Sequence, residues 1–302
     1  MNTIFFGTEK FATIILQSLL DNPLFDISLV ITQPDKPIGR KKILTAPPVK
    51  LFAEKNNIPI GQPESLKSYK LIPHTYDLAI VAQYGLLIPK HIIETPTYGT
   101  INVHTSLLPK YRGASPIQSA LLNGDVKTGV TIMQMDEGMD TGPLLSQIEI
   151  TILPDETYLE IDERMAHIGV TALTEAVSAF VAGKLKPQAQ DDTKATLCKK
   201  LSRDDGKVDW QKITQEIYNQ YRAFTPWPGI WTIWEGKRLK LLKISPSERI
   251  LKPGVVEIFD NNLFIGTQDR SIAVHSLQLE GKPAMDVKIF VQGYKRIDTV
   301  EL

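Results

Sequence analysis

The chain has 302 residues, and its 34 Lys+Arg balance 34 Asp+Glu to a formal net charge of zero, which argues against an evenly basic coat for nucleic acid. With 42% hydrophobic and 23% charged residues it has an ordinary globular composition, long enough for two domains that each bury a core. The single cysteine, Cys198, excludes disulfides and thiolate zinc cages; with no basic leader and no apolar run of spanning length, the expected setting is the cytoplasm, with no membrane contact.

The first 150 residues alternate short apolar runs with amphipathic stretches. Thr3–Phe6, Ile27–Thr32, Leu78–Ala82 and Gly99–Val103 are rich in β-branched or aromatic residues and predict buried strands. Phe11, Ile14, Ile15 and Leu19 keep helical spacing between the first two, and Val49–Asn56 offers a second helix. This βαβ rhythm predicts a Rossmann-like, mostly parallel sheet covered by helices. Ser115-Pro116 opens another helix, and Thr157–Ala182 is the longest, with Gly183 ending it.

Residues 184–205 turn polar and aperiodic, which predicts a linker between a first domain at 1–183 and a second at 206–302. After one helical stretch near Ile213–Phe224, short strand candidates crowd together at Trp231–Trp234, Leu239–Ile244, Gly254–Ile258, Leu263–Ile265 and Ile272–Leu279. That spacing predicts a small antiparallel β-barrel, with Trp227, Trp231 and Trp234 packed in its core.

Chemistry concentrates in a few places. The opening strand–turn–helix has one glycine where a dinucleotide fingerprint needs three, so a pyrophosphate-binding reading is rejected. Asn102 and His104 are two apart at a strand end and emerge on one face. A carboxamide beside an imidazole suits a reaction through an oxyanion, although a polar pair tying down a loop is the commoner reading of that spacing alone. Downstream, Asp136, Glu137 and Asp140 form an acidic loop that could bind a divalent metal, decorate the surface, or send one carboxylate toward His104. Lys36–Lys50 holds five basic residues and no acid, and its Gly39 and Pro47-Pro48 predict a loop, either solvated or meeting phosphates.

The run INVHTSLLPKYRGASPIQSALLNGD, followed by TGVTIMQMDEGMDTGPLL, closely resembles the methionyl-tRNA formyltransferase family. The likeness continues through PDKPIGRKK, AQYGLLIP, LSRDDGKVDW and RAFTPWPG, nearly the whole chain. It implies a formyltransferase-type α/β domain followed by an OB-like barrel that binds tRNA. Catalytic Asn102, His104 and Asp140 are implied, with Ser106, Leu107, Leu108 and Pro109 at the tetrahydrofolate and Arg40, Lys41 and Lys42 at the tRNA. The implied donor is 10-formyltetrahydrofolate, the acceptor initiator methionyl-tRNA, the protein a monomer, and no metal is required. Thr105 and Glu9-Lys10 depart from the family's usual residues without removing a reacting group.

In the mechanism this implies, Asn102 and a proton-bearing His104 stabilise the oxyanion while Asp140 orients the imidazole and favours its charged form. Rival readings are another formyl-folate enzyme, acting on glycinamide ribonucleotide, a sugar nucleotide or formyl-folate itself, and a non-catalytic tRNA-binding protein. Residues 1–205 carry 20 basic and 23 acidic side chains, whereas 206–302 carry 14 and 11, so the zero total conceals a mildly basic second domain.

Overall fold

A strand covered on both faces is apolar along its length, and the chain opens with one. The computed structural model, which describes residues 1–39 and 42–302, places β1 at Asn2–Gly7 with Ile4, Phe5 and Phe6 wholly buried. α1 (Lys10–Leu20) turns Phe11, Ile15, Leu16 and Leu19 inward, and β2 (Asp26–Ile31) lies parallel to β1.

Parts of the acid-free stretch take regular structure. β3 (Lys36–Ile38) and β4 (Ile43–Thr45) pair antiparallel as a short ribbon, and Pro48 opens α2 (Pro48–Lys55). Proline costs nothing at a first helical position, where the N–H lacks an intrahelical partner. Lys42 is exposed and donates its N–H to the Gly39 carbonyl at 3.2 Å. Arg40 and Lys41 lie outside the described residues.

β5 (Ile60–Gly61) pairs with β2, and β6 (Leu78–Ala82), buried at every residue, pairs with β1 on its other side. After α3 (Lys90–Ile93) comes β7 (Thr100–His104), parallel to β6 and one residue further along than predicted, so that His104 ends the strand. β8 (Arg112–Gly113) and α4 (Pro116–Leu122) precede two strands that the periodicity analysis did not foresee, β9 (Lys127–Gln134) and β10 (Leu144–Thr151). β9 pairs antiparallel with β7 and β10 antiparallel with β9, completing the order β5-β2-β1-β6-β7-β9-β10. The sheet is thus mostly parallel with an antiparallel edge. α5 (Tyr158–Val181) ends before Gly183, whose φ of +70° suits a residue without a Cβ. Gly169 lets this helix approach β7: a Cβ there would fall 3.1 Å from Val103 Cγ1.

Packing divides the chain into two units, one of 1–116, 127–151 and 162–199, the other of 117–126, 152–161 and 200–302. The stretch read as a linker is therefore mostly part of the first unit. Gln188 and Leu144 exchange backbone hydrogen bonds of 2.8 and 2.7 Å, and β11 (Leu197–Cys198) pairs parallel with β8. Its polar side chains look solvated in sequence, but several have protein partners. Cys198 is likewise buried, its Sγ 3.3 Å from the Arg112 carbonyl.

In the second unit, α6 (Thr214–Phe224) precedes β12 (Ile230–Trp234), β13 (Lys237–Ser247), β14 (Val256–Phe259), β15 (Asn262–Gly266) and β16 (Ser271–Leu279). β17 (Met285–Asp286) and α7 (Val287–Gly293) follow. The antiparallel path runs β12-β13-β16-β15-β14, with β17 added to β16. Among the described residues its end strands do not pair, so the OB-like barrel is partly open. Trp231 and Trp234 are buried as expected, whereas Trp227 is 53% exposed. The stretch 152–161 joins this unit because Arg222, 5% exposed, points Nη1 at the Leu153 and Glu156 carbonyls and Tyr218 donates to Asp155 at 2.9 Å.

Candidate active site

β7 lies between β6 and β9, and all its residues but Asn102 are buried. Alternation puts Asn102 and His104 on one face, at the carboxyl edge where open α/β sheets hold ligands. His104 is 6% exposed, while Asn102 is half-buried and its carboxamide makes no hydrogen bond to any described residue. An amide with unused donors facing this edge is equipped to receive an oxyanion.

The imidazole is held by the loop that follows. Its Nε2 lies 3.2 Å from the Tyr111 carbonyl oxygen, which only accepts, so Nε2 carries the hydrogen. Nδ1 faces Asp140 Oδ1 at 3.7 Å, close enough for charge to matter but too far for a hydrogen bond. Burial pulls the His104 pKa below its ordinary value; the Asp140 carboxylate and the Tyr111 carbonyl oppose this without reversing it. The resting imidazole is therefore neutral with its lone pair on Nδ1. Asp140 favours the cation, as expected, but loss of water outweighs it in the resting ring.

Asp140 occupies a turn with φ of +55°, and its Oδ2 accepts the Gly113 N–H at 2.8 Å. The three acidic residues of this loop diverge. Asp136 Oδ1 caps the Gly138 N–H and the Thr141 hydroxyl at 3.0 and 2.7 Å, and Glu137 pairs with Lys90 at 3.1 Å. Among the described residues no three His, Cys, Asp or Glu side chains are grouped to hold a metal. A cleft of about 380 Å³ opens beside Lys90, Glu94 and Met135–Gly138, but none of Asn102, His104 and Asp140 lines it.

The Ser106–Pro109 segment is braced from behind. Ser106 is fully buried and donates to the Lys110 carbonyl at 2.6 Å, so its hydroxyl shapes the loop. Thr131 donates to the Ser106 carbonyl at 2.6 Å and accepts from Leu108 N–H and Gln147 Nε2 at 3.2 and 3.0 Å. Leu108 is also buried, whereas Leu107 and Pro109 are half-buried. Sequence reasoning missed Tyr111, Arg112, Thr131, Gln147 and Gln190. Arg112 was the one detectable, as a charge inside an otherwise buried motif; the others act through backbone groups or over long separations.

Comparison with known proteins shows the family. Residues 1–177 match the formyl transferase family and residues 200–295 match the formyl transferase C-terminal domain. The chain is 41% identical over 98% of its length, and 97% of the relative's, to a methionyl-tRNA formyltransferase of Caldicellulosiruptor saccharolyticus. It is 42% identical to one from Acidobacterium capsulatum, covering 97% of this chain and 96% of the other. The fold also matches WlaRD, a sugar 3N-formyl transferase crystallised in the presence of dTDP and 5-N-formyl-THF, with a TM-score of 0.66, 23% identity and coverage of 94% and 99%. The chain belongs to the formyl transferase family and, within it, to the methionyl-tRNA formyltransferases.

The brace behind Ser106–Pro109 is open to a direct test. Thr131→Val keeps the shape but strands the buried Ser106 carbonyl and Leu108 N–H, at an expected cost of about 1–3 kcal/mol in stability. Denaturant unfolding of the variant measures it.

Proposed function

We propose that the chain transfers the formyl group of 10-formyltetrahydrofolate to the α-amino group of methionine on initiator tRNA. The observation that carries this reading is the unpartnered Asn102 carboxamide beside a buried, neutral His104 backed by Asp140, on a chain related along its whole length to enzymes of that name. The half-buried Leu107 and Pro109 offer an apolar rim for the formyl donor, and Ser106 and Leu108 serve by keeping that rim rigid. The activated formyl group supplies the reactive carbonyl, and the protein contributes position and electrostatics.

Asn102 donates hydrogen bonds to the formyl oxygen as negative charge develops there. His104, neutral at rest, takes the proton that the attacking amine must lose, at Nδ1, the nitrogen left when Nε2 serves Tyr111. Asp140, 3.7 Å away, stabilises the cation while it lasts. His104 then returns the proton to the departing folate nitrogen, so protons balance across the transfer. A bound tRNA acceptor end would be gripped through Arg40, Lys41 and Lys42, and the net positive charge of residues 206–302 supports a second hold.

Asn102→Ala, His104→Ala and Asp140→Ala are each expected to lower single-turnover formyl transfer by about 100- to 1000-fold with the fold intact. The assay should offer methionyl initiator tRNA, methionyl elongator tRNA and free methionine in parallel. Formylation of the initiator alone supports the substrate reading; transfer to free methionine at an equal rate contradicts it. Arg40→Ala should raise the KM for tRNA while leaving that for the formyl donor unchanged, and should flatten the salt dependence of tRNA binding by about one unit of slope.

A further inference from the structure

Asp140 reaches His104 only because its turn is held in a left-handed conformation, and a carboxylate on such a turn is no better placed than the turn itself. Its backbone is gripped by one side chain. The Gln190 carboxamide nitrogen donates to the Asp140 carbonyl at 2.9 Å and to the Gly142 carbonyl at 2.7 Å. Its oxygen accepts twice from Arg112, from Nε at 3.1 Å and Nη2 at 2.7 Å. Two donors and an oxygen with two acceptor sites complete the hydrogen-bonding capacity of a glutamine side chain.

Arg112 is itself nearly buried and holds Asp192 at 2.6 Å through Nη2. It stands between Tyr111, whose carbonyl fixes the His104 tautomer, and Gly113, whose N–H binds the Asp140 carboxylate. A closed polar ring results, running from the Asp140 side chain to Gly113, along the chain to Arg112, across to Gln190 and back to the Asp140 carbonyl. The ring includes Asp140 and adjoins Tyr111, the two residues that face the imidazole. Neighbouring Gly142 is packed too closely for any side chain, since a Cβ there would sit 1.9 Å from the Gln134 carbonyl oxygen.

We propose that Gln190 is a positioning residue for formyl transfer: by clamping the Asp140–Gly142 backbone to Arg112, it sets the distance between Asp140 and His104. The inference rests on the proposed roles of those two residues. Gln190 touches neither reactant, so its effect falls on the chemical step. A misplacement near 1 Å at a catalytic group is worth about 100-fold in rate. Binding of tRNA and formyl donor is left alone.

The test is a double-mutant cycle on the full-length protein with single-turnover and steady-state formylation, folding being checked by near-ultraviolet circular dichroism. Gln190→Ala is expected to lower kcat by about 10- to 100-fold with both KM values unchanged. Gln190→Glu keeps the size and the Arg112 contact but removes both donors, so it should fall as far. In the Asp140→Asn background neither change should cost anything more, because there is no longer a carboxylate to place. Equal losses with and without Asp140 would overturn the clamp while leaving the Asp140 role standing. Full activity of Gln190→Glu would also overturn it, since only the pairing with Arg112 would then matter. An Asp140→Asn enzyme that works at the normal rate would instead refute the reading on which the clamp depends.

Discussion

His104 is buried at the carboxyl end of β7, and a buried imidazole must find a partner for each nitrogen that water no longer reaches. One nitrogen has the Tyr111 carbonyl at 3.2 Å; the other has only the more distant Asp140 carboxylate. That asymmetry selects a neutral ring with a defined tautomer and leaves a basic lone pair beside a negative charge. The rest of the first unit serves the arrangement. β6 and β9 exclude water from the strand, Thr131 and Gln147 stiffen the segment after it, and the chain between 188 and 198 returns to hold the loop carrying Tyr111 and Gly113.

How much of this was legible in the sequence depends on the range of the interactions. Elements made of local pattern were readable: β1, β6 and α5 came within a residue or two, as did most strands of the second unit. Asn102 and His104 were readable because two residues on a strand share a face whatever surrounds them. β9 and β10 escaped because their runs do not alternate cleanly: Val130, Ile132 and Met133 are all buried, on a strand covered on both sides. The proline pair ends one segment and opens the next: α2 starts at Pro48, one residue before the predicted Val49. The resting protonation of His104 is likewise set by the fold. A carboxylate in the sequence announces a charge, but the burial that opposes it belongs to the folded state.

Gln190 marks the limit of that reasoning. It sits in a polar, aperiodic stretch with no hydrophobic period, and its partners are 48 to 78 residues distant in the chain. Nothing local distinguishes a glutamine that closes a buried ring from one that faces water. Trp227 errs in the opposite direction, an aromatic assigned to the core that is more than half exposed. The overall neutrality with which the sequence began now has a clearer meaning. Arg112 is spent on Gln190 and Asp192, and Asp140 on the Gly113 N–H and His104, so an even total says little about the surface offered to a polyanion.

The account turns on the state of one ring, and nitrogen-15 spectroscopy of labelled histidine reads it directly. With His104 assigned by its loss in His104→Asn, the resting enzyme at neutral pH is expected to show a neutral imidazole protonated on Nε2, titrating below the ordinary 6.5. Asp140→Asn should lower that midpoint further, because the charge opposing the effect of burial is gone. A cationic ring at neutral pH, or one protonated on Nδ1 alone, would contradict the assignment of His104 as the proton acceptor.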